Sequence, residues 1–420
     1  MIEFLKKELH ARSDENGIPI FSNSDWKTFR NKYEKNDVRN ALAEYIHEYK
    51  VPFPFKPLLE NEILKLFRKF ESESQIFQLS YPKKVDEKFD YIHKYQDNPL
   101  GIISSNSAYN SISNYFQQAN RLSCSSVYNK SPIDIWNDLE KLRMMNWYFW
   151  RDGILAGSDI CPATFRSAFR MGTYTATQFR PSVAKFMYEY HSAENILDTS
   201  CGWGDRLAGF YGTSNTKLYV GCDPNPSVFE VYKKQCISYE KSMFHEAVLT
   251  ETEDYFKCVG SKTVEIWRKP AEDVNWSLYE NTFDLYFTSP PYFNTEKYDV
   301  SGDRGKEQSF SRYPNFVAWR DDFLFNVIEQ VWKTIRRDGY MAINIIDPIR
   351  GRNRYPLCDD MVEFCQNLPS CNYAGKLGMR MMARPNTEQF SSDLMIEPIW
   401  VFTKNSNKYD IKVGLESFME

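Results

Sequence analysis

The chain has 420 residues, of which 42 % are apolar and 26 % charged, with 18 Gly and 20 Pro. That balance excludes disordered, collagen-like and low-complexity classes, and at roughly 100–200 residues per domain it implies two or three globular domains. Lysine and arginine number 52 against 56 acids, a net charge of −4, so no whole-protein positive field draws the chain onto a polyanion and any nucleic-acid contact is local.

In chain order, helical spacing of apolar residues is clearest over 37–50 and 58–71, separated by the breaker VPFPFKP. Residues 98–132 are rich in Ser, Asn and Tyr, the composition of a polar helix or an ordered loop, and a further helical run covers 133–151. From about Thr173 short β-branched or aromatic strands alternate with helices, as in a parallel α/β sheet. Expected strands are 195–199, 217–222, 263–267, 283–288 and 340–346, with 373–382 and 396–403 as a terminal antiparallel pair. The expected organisation is a mainly helical N-terminal domain (1–164), an α/β domain (165–405) and a C-terminal tail (406–420).

Nine cysteines are scattered without a CxxC pair, and the triplet Cys358, Cys365 and Cys371 lacks zinc-ligand spacing. They read as reduced, buried thiols, and no metal site is expected. The N-terminus has no signal-peptide core and no apolar run approaches the ~20 residues of a membrane span, so an intracellular, cytoplasmic protein without membrane contact is expected.

Three motifs carry chemistry. NILDTSCGWGDRLAGF (195–210) is a strand ending in Asp198, a turn with Gly202 and Gly204, and an amphipathic helix; such a turn brings backbone amides close to a ligand at the sheet's carboxyl edge, although a plain strand-to-helix turn needs the same glycines. The next strand, KLYVGCD, ends in Asp223, an acid suited to ribose hydroxyls or to capping the following helix. Third, FDLYFTSPPYFN (283–294) runs an apolar strand straight into Ser289, Pro290, Pro291 and Tyr292. Two prolines remove two backbone donors and leave carbonyl acceptors beside the Ser289 hydroxyl and a flat ring. Exocyclic amino groups of bases need such acceptors, because their nitrogen lone pair is delocalised and attacks a methyl donor poorly.

The order TATQFRPSVAKFM, LDTSCGWGDRL, YVGCDPN, TSPPYF, covering about residues 173–404, resembles the S-adenosylmethionine-dependent DNA amino methyltransferases. The resemblance implies a Rossmann-like seven-stranded methyltransferase sheet and S-adenosyl-L-methionine as cofactor. It assigns cofactor contacts to Phe179 in an F-x-P-like segment and to Asp198, Gly202, Gly204, Asp223 and Asp273. Catalysis falls on Ser289, Pro290, Pro291 and Tyr292, with the target base flipped out and stacked on Tyr292. Serine at the first catalytic position favours cytosine-N4 over adenine-N6. Cytosine-C5 chemistry is disfavoured, because the sequence has no Pro-Cys dipeptide. Thr199 and Ser200 replace the family's commoner Pro-Phe, and no target-recognition domain of ordinary size follows the catalytic motif. Recognition is therefore expected to be helical, through the N-terminal region, or weak, or shared with a protein partner.

The partner expected is DNA, duplex or single-stranded, with Arg350, Arg352 and Arg354 of DPIRGRNRYP as phosphate contacts and 294–313 as either a lid over the base pocket or a plain surface loop. Arg380 and Arg384 are weaker candidates of the same kind, and Arg166, Arg170 and Arg180, just before the α/β domain, are placed either to grip a strand or to pair with acids. Two other readings stand beside this one: an RNA base amino methyltransferase, and a catalytically silent nucleic-acid-binding subunit of a methyltransferase complex.

Overall fold

The computed structural model describes residues 1–73, 77–80, 101–126, 129–145, 158–293, 296–298, 303–350, 353–380 and 396–405. It divides into two units, one of residues 1–57 and 118–177, the other of 58–117 and 178–420. The division is not the linear one at residue 164, because 58–117 packs with the sheet-bearing unit.

The first unit is helical. Helices Ile2–His10, Asn23–Lys32, Lys35–Glu48, Pro132–Trp136, Leu139–Met145 and Pro162–Gly172 bury Leu5, Leu9, Trp26, Phe29, Leu42, Ile46, Trp136, Leu142, Phe165 and Phe169 in one core. Their starts are specified locally: Ser22 Oγ accepts from Asp25 N at 3.1 Å, and Ser131 forms a reciprocal capping box with Asp134. The breaker between the expected helices is used as packing, with Phe53 edge-on to Trp136 at 5.5 Å and Trp136 Nε1 donating to Val51 O at 2.8 Å.

The second unit is built on one eleven-stranded sheet. Its strands are β1 (Phe77–Ser80), β2 (Ile102–Ser105), β3 (Asn195–Asp198), β4 (Leu218–Cys222), β5 (Val248–Glu251), β6 (Tyr255–Val259), β7 (Thr263–Trp267), β8 (Phe283–Thr288), β9 (Ile335–Asn344), β10 (Cys371–Arg380) and β11 (Ile396–Lys404), in the order β1-β2-β10-β11-β9-β8-β3-β4-β7-β6-β5. The seven strands expected from sequence form its unbroken centre, from β10 to β7. Within that block β9, β8, β3, β4 and β7 run parallel, while β11 pairs antiparallel with both β9 and β10. The sheet is therefore Rossmann-like, and its strand order reverses between β3 and β8, the topological switch point at which open α/β sheets bind ligands.

Central strands read as apolar runs because both faces are covered; all six residues of β8 are buried. The strands not foreseen lie outside the block. β5 and β6 extend one edge as an antiparallel meander with β7, and their charged residues mask the strand signal, as on a solvated edge. At the other edge β2 pairs parallel with β10 and antiparallel with β1.

Candidate ligand site at the sheet's switch point

The turn after β3 has Gly202 at φ +56° and Gly204 at φ +71°, conformations that suit glycine. The two glycines are required for different reasons. A Cβ on Gly204 would run into the Gln235 side chain, whereas one on Gly202 would meet only Ser200 O, at 3.7 Å. Gly204 thus answers to internal packing, and Gly202 leaves open space that backbone can share with a ligand.

Asp198 ends β3 fully buried and is the hub of the site. It accepts from Arg206 Nε at 2.8 Å and Nη2 at 3.2 Å, Tyr219 OH at 2.6 Å, Thr288 Oγ1 at 2.9 Å and Ser200 N at 3.1 Å. Burial opposes the Arg206 charge, but Asp198 outweighs it and holds the guanidinium above its ordinary value. A carboxylate so enclosed organises the turn. Phe179 reaches this hub from the segment before the helix Pro181–Tyr190: its ring lies 5.3 Å from the Arg206 guanidinium and edge-on to Phe287 at 5.7 Å. Gln178 anchors the same segment, its Nε2 donating to Asn110 O and Asp205 Oδ1 at 2.8 Å each.

Asp223, just past β4, is half-buried. Oδ2 accepts from Gly202 N at 2.9 Å and Tyr232 OH at 3.3 Å, and Oδ1 from Asn225 N at 3.0 Å. Burial pushes its pKa up to about 6 against these hydrogen bonds. The carboxylate therefore ties the second strand to the glycine turn and retains lone pairs for further donors. An acid with that spare capacity, beside the open face of Gly202, fits a ligand bearing a ribose.

Across the switch point, β8 ends in buried Thr288, and Ser289 follows half-exposed, its Oγ without a hydrogen-bond partner among the described residues. Pro290 is buried, and Phe293, at φ +49°, closes a tight turn by donating from N to Pro291 O at 3.0 Å. Phe293 packs against Phe316, Trp319 and Tyr355, which fixes the turn that presents Tyr292. The Tyr292 hydroxyl is bound by the Glu397 carboxylate and lies 3.4 Å from Asn344 O, so strands β11 and β9 together set its ring.

The remaining expected residues are placed differently. Asp273 is exposed and ion-paired with Arg312 at 2.7 Å; its buried neighbour Glu272 takes Arg312 at 3.0 Å and Tyr313 OH at 2.9 Å, and burial raises the Glu272 pKa. Arg354 is held by Asp347, with Nε 2.7 Å from Oδ2. Arg350 lies on the two-residue strand Ile349–Arg350. Arg352 and Arg384 lie outside the described residues, as do 294–295 and 299–302 of the expected lid, whose later part forms the helix Ser309–Arg312. Arg206, Tyr219, Thr288 and Glu397 were not singled out from sequence. Only the position of Thr288, one residue before the Ser-Pro-Pro turn, offered a signal.

No protein-family model matches the sequence, and no curated protein matches it. The chain is similar to solved structures that include Trm1 from Pyrococcus horikoshii in complex with S-adenosyl-L-methionine (13 % identity, 58 % of this chain and 59 % of that one, TM-score 0.32). Others are an rRNA methylase from Streptococcus thermophilus (10 %, 55 % and 100 %, 0.30) and a protein described as a candidate DNA modification methylase from Thermus thermophilus (21 %, 33 % and 52 %, 0.24). The matched region spans about three fifths of Trm1 and about half of the Thermus protein. At these identities and TM-scores the likenesses say nothing of a substrate. Among the described residues no helix is long and apolar enough to cross a membrane.

Proposed function

We propose that the protein is an S-adenosylmethionine-dependent methyltransferase acting on the exocyclic amino group of a nucleic-acid base, cytosine-N4 ahead of adenine-N6, in DNA. The observation that carries the reading is the link of Thr288 Oγ1 to Asp198 Oδ1 at 2.9 Å. It joins the glycine turn to the Ser-Pro-Pro-Tyr turn at the one place where the strand order reverses.

S-adenosylmethionine, when bound, supplies the electrophilic methyl group. Asp223 takes its ribose hydroxyls, and the turn at Gly202 lets main chain approach it. On the other side, Ser289 Oγ and the carbonyls of Ser289 and Pro290 accept the amino hydrogens, biasing the nitrogen toward tetrahedral geometry. The Tyr292 ring stacks on the flipped base. The methyl group would come from the bound cofactor, whose sulfur would keep the electron pair, while Ser289 Oγ and the two carbonyls would lead the amino proton to water. Positioning supplies much of the rate, and no covalent nucleophile is required.

The test is transfer from isotopically labelled S-adenosylmethionine to duplex DNA, single-stranded DNA or RNA, read by nucleoside mass spectrometry, with Ser289→Ala as control. Labelled N4-methylcytosine in DNA, lost in Ser289→Ala, is the expected result. Label in RNA alone replaces the substrate, and cofactor binding without transfer to any polymer overturns base methylation.

A further inference from the structure

Arg180 is only 9 % exposed, yet it has no carboxylate partner among the described residues. The one side-chain hydrogen bond it makes among them runs from Nη1 to Ser105 Oγ at 3.5 Å, the weak limit of such a bond. Buried cations are ordinarily paired, because desolvation of a lone charge is costly. Here burial lowers the pKa, and the positive charge of Arg380 lowers it further. Arg380 is exposed and also lacks an acid partner among the described residues.

Strand register places two of these groups. β10 runs parallel to β2, with Gly378 opposite Ile102 and Met379 opposite Ile103, so Arg380 and Ser105 both lie at strand ends on the sheet's carboxyl edge. Across the neighbouring pair, Met379 faces Glu397 and Arg380 faces Ile396. Glu397 is the residue that holds the Tyr292 hydroxyl. Arg380 and Ser105 therefore end neighbouring strands, with the Arg180 guanidinium against Ser105 and no acid among the described residues paired to either arginine.

We infer that Arg180, Arg380 and Ser105 form a phosphate site, and that it takes a backbone phosphodiester of the strand whose base enters the Tyr292 pocket. The phosphodiester assignment rests on the function proposed above; the anion site does not. The fork of Arg180 suits the two non-bridging phosphate oxygens, Ser105 Oγ donates to one of them, and Arg380 adds a second positive charge from the solvent side. This site is separate from the run containing Arg354, whose guanidinium is already engaged by Asp347.

The experiment uses the full chain with R180Q and R380Q and two probes, a single-stranded DNA oligonucleotide and inorganic phosphate. Each variant should weaken oligonucleotide binding several-fold and reduce the slope of log affinity against log salt by about 0.7, the value for one phosphate on a single strand. Cofactor affinity should not change, and R180Q should melt no lower than wild type because the lost charge has no acid partner among the described residues. Oligonucleotide binding with equal affinity and slope in all three proteins overturns the site and leaves the proposed function standing. If the oligonucleotide does not bind, but phosphate raises the melting temperature of wild type and not of R180Q, the anion site holds and the nucleic-acid assignment falls. Failure of both probes overturns the site.

Discussion

Thr288 Oγ1 donates to Asp198 Oδ1 across 2.9 Å, and both residues are wholly buried. The bond fixes the distance between the end of β8 and the end of β3, and so between the two turns that follow them. Thr288→Val keeps the shape and removes the donor. Asp198 retains its bonds to Arg206, Tyr219 and Ser200 N, so the stability cost is about 1 kcal/mol. Misplacement of Ser289 against the methyl donor should cost more in rate, on the order of tenfold to a hundredfold. Turnover measured beside cofactor affinity checks this: kcat should fall while cofactor affinity stays within about twofold.

Arg206 tests the same hub from its cationic side. Arg206→Met preserves much of the side-chain volume and leaves Asp198 buried and ionised without its partner, a change that costs about 3–5 kcal/mol. Adding Asp198→Asn should recover part of that loss, because the orphaned charge is then gone. Urea unfolding of the single and double variants measures both. Equal stability of Arg206→Met and wild type would remove Asp198–Arg206 from the account of the turn.

How much of this was legible depended on where each residue sits. β8 and its Ser-Pro-Pro-Tyr turn were plain, because a strand covered on both faces is an apolar run and two prolines mark its end. The glycine turn and Asp223 were legible through their spacing. The partners of Asp198 were not: Arg206, Tyr219 and Thr288 stand 8, 21 and 90 residues away, with no period linking them. Asp273 is a different case. It stood at a plausible position after β7, but an arginine 39 residues downstream engages both of its oxygens. Strand β2 escaped because a four-residue segment ending in two serines carries little β signal until β10 lies beside it.

Asp223 sets a pH dependence whose sign follows from its raised pKa. Between the ordinary value of 3.8 and about 6 the folded chain keeps a proton that the unfolded chain releases. The stability this residue contributes is therefore full at low pH and lost as pH rises through about 6. Cofactor binding should run the other way, since the ionised carboxylate is the better acceptor for ribose hydroxyls. Affinity for S-adenosylmethionine should rise with pH up to about 6, by at most about tenfold per unit, and then level off. Asp223→Asn should bind weakly with a flat profile over the same interval. Calorimetric titration of both proteins from pH 5 to pH 8 decides it, and an equally steep profile in Asp223→Asn would assign the dependence to another group.

Tyr292 separates ring from hydroxyl. Its OH is bound by Glu397, so Tyr292→Phe keeps the stacking face and loses the tether that orients it, whereas Tyr292→Ala loses both. Stacking of a base on an aromatic ring is worth about 1–3 kcal/mol, so Tyr292→Ala should lower kcat/KM by roughly tenfold to a hundredfold, with Tyr292→Phe between it and wild type. Glu397→Gln preserves an acceptor for the hydroxyl and should behave more mildly than Tyr292→Phe. None of the three changes touches Asp223 or the glycine turn, so cofactor affinity is the internal control. Full activity of Tyr292→Ala with intact cofactor binding would show that the base is held elsewhere and that the turn serves only to place Ser289.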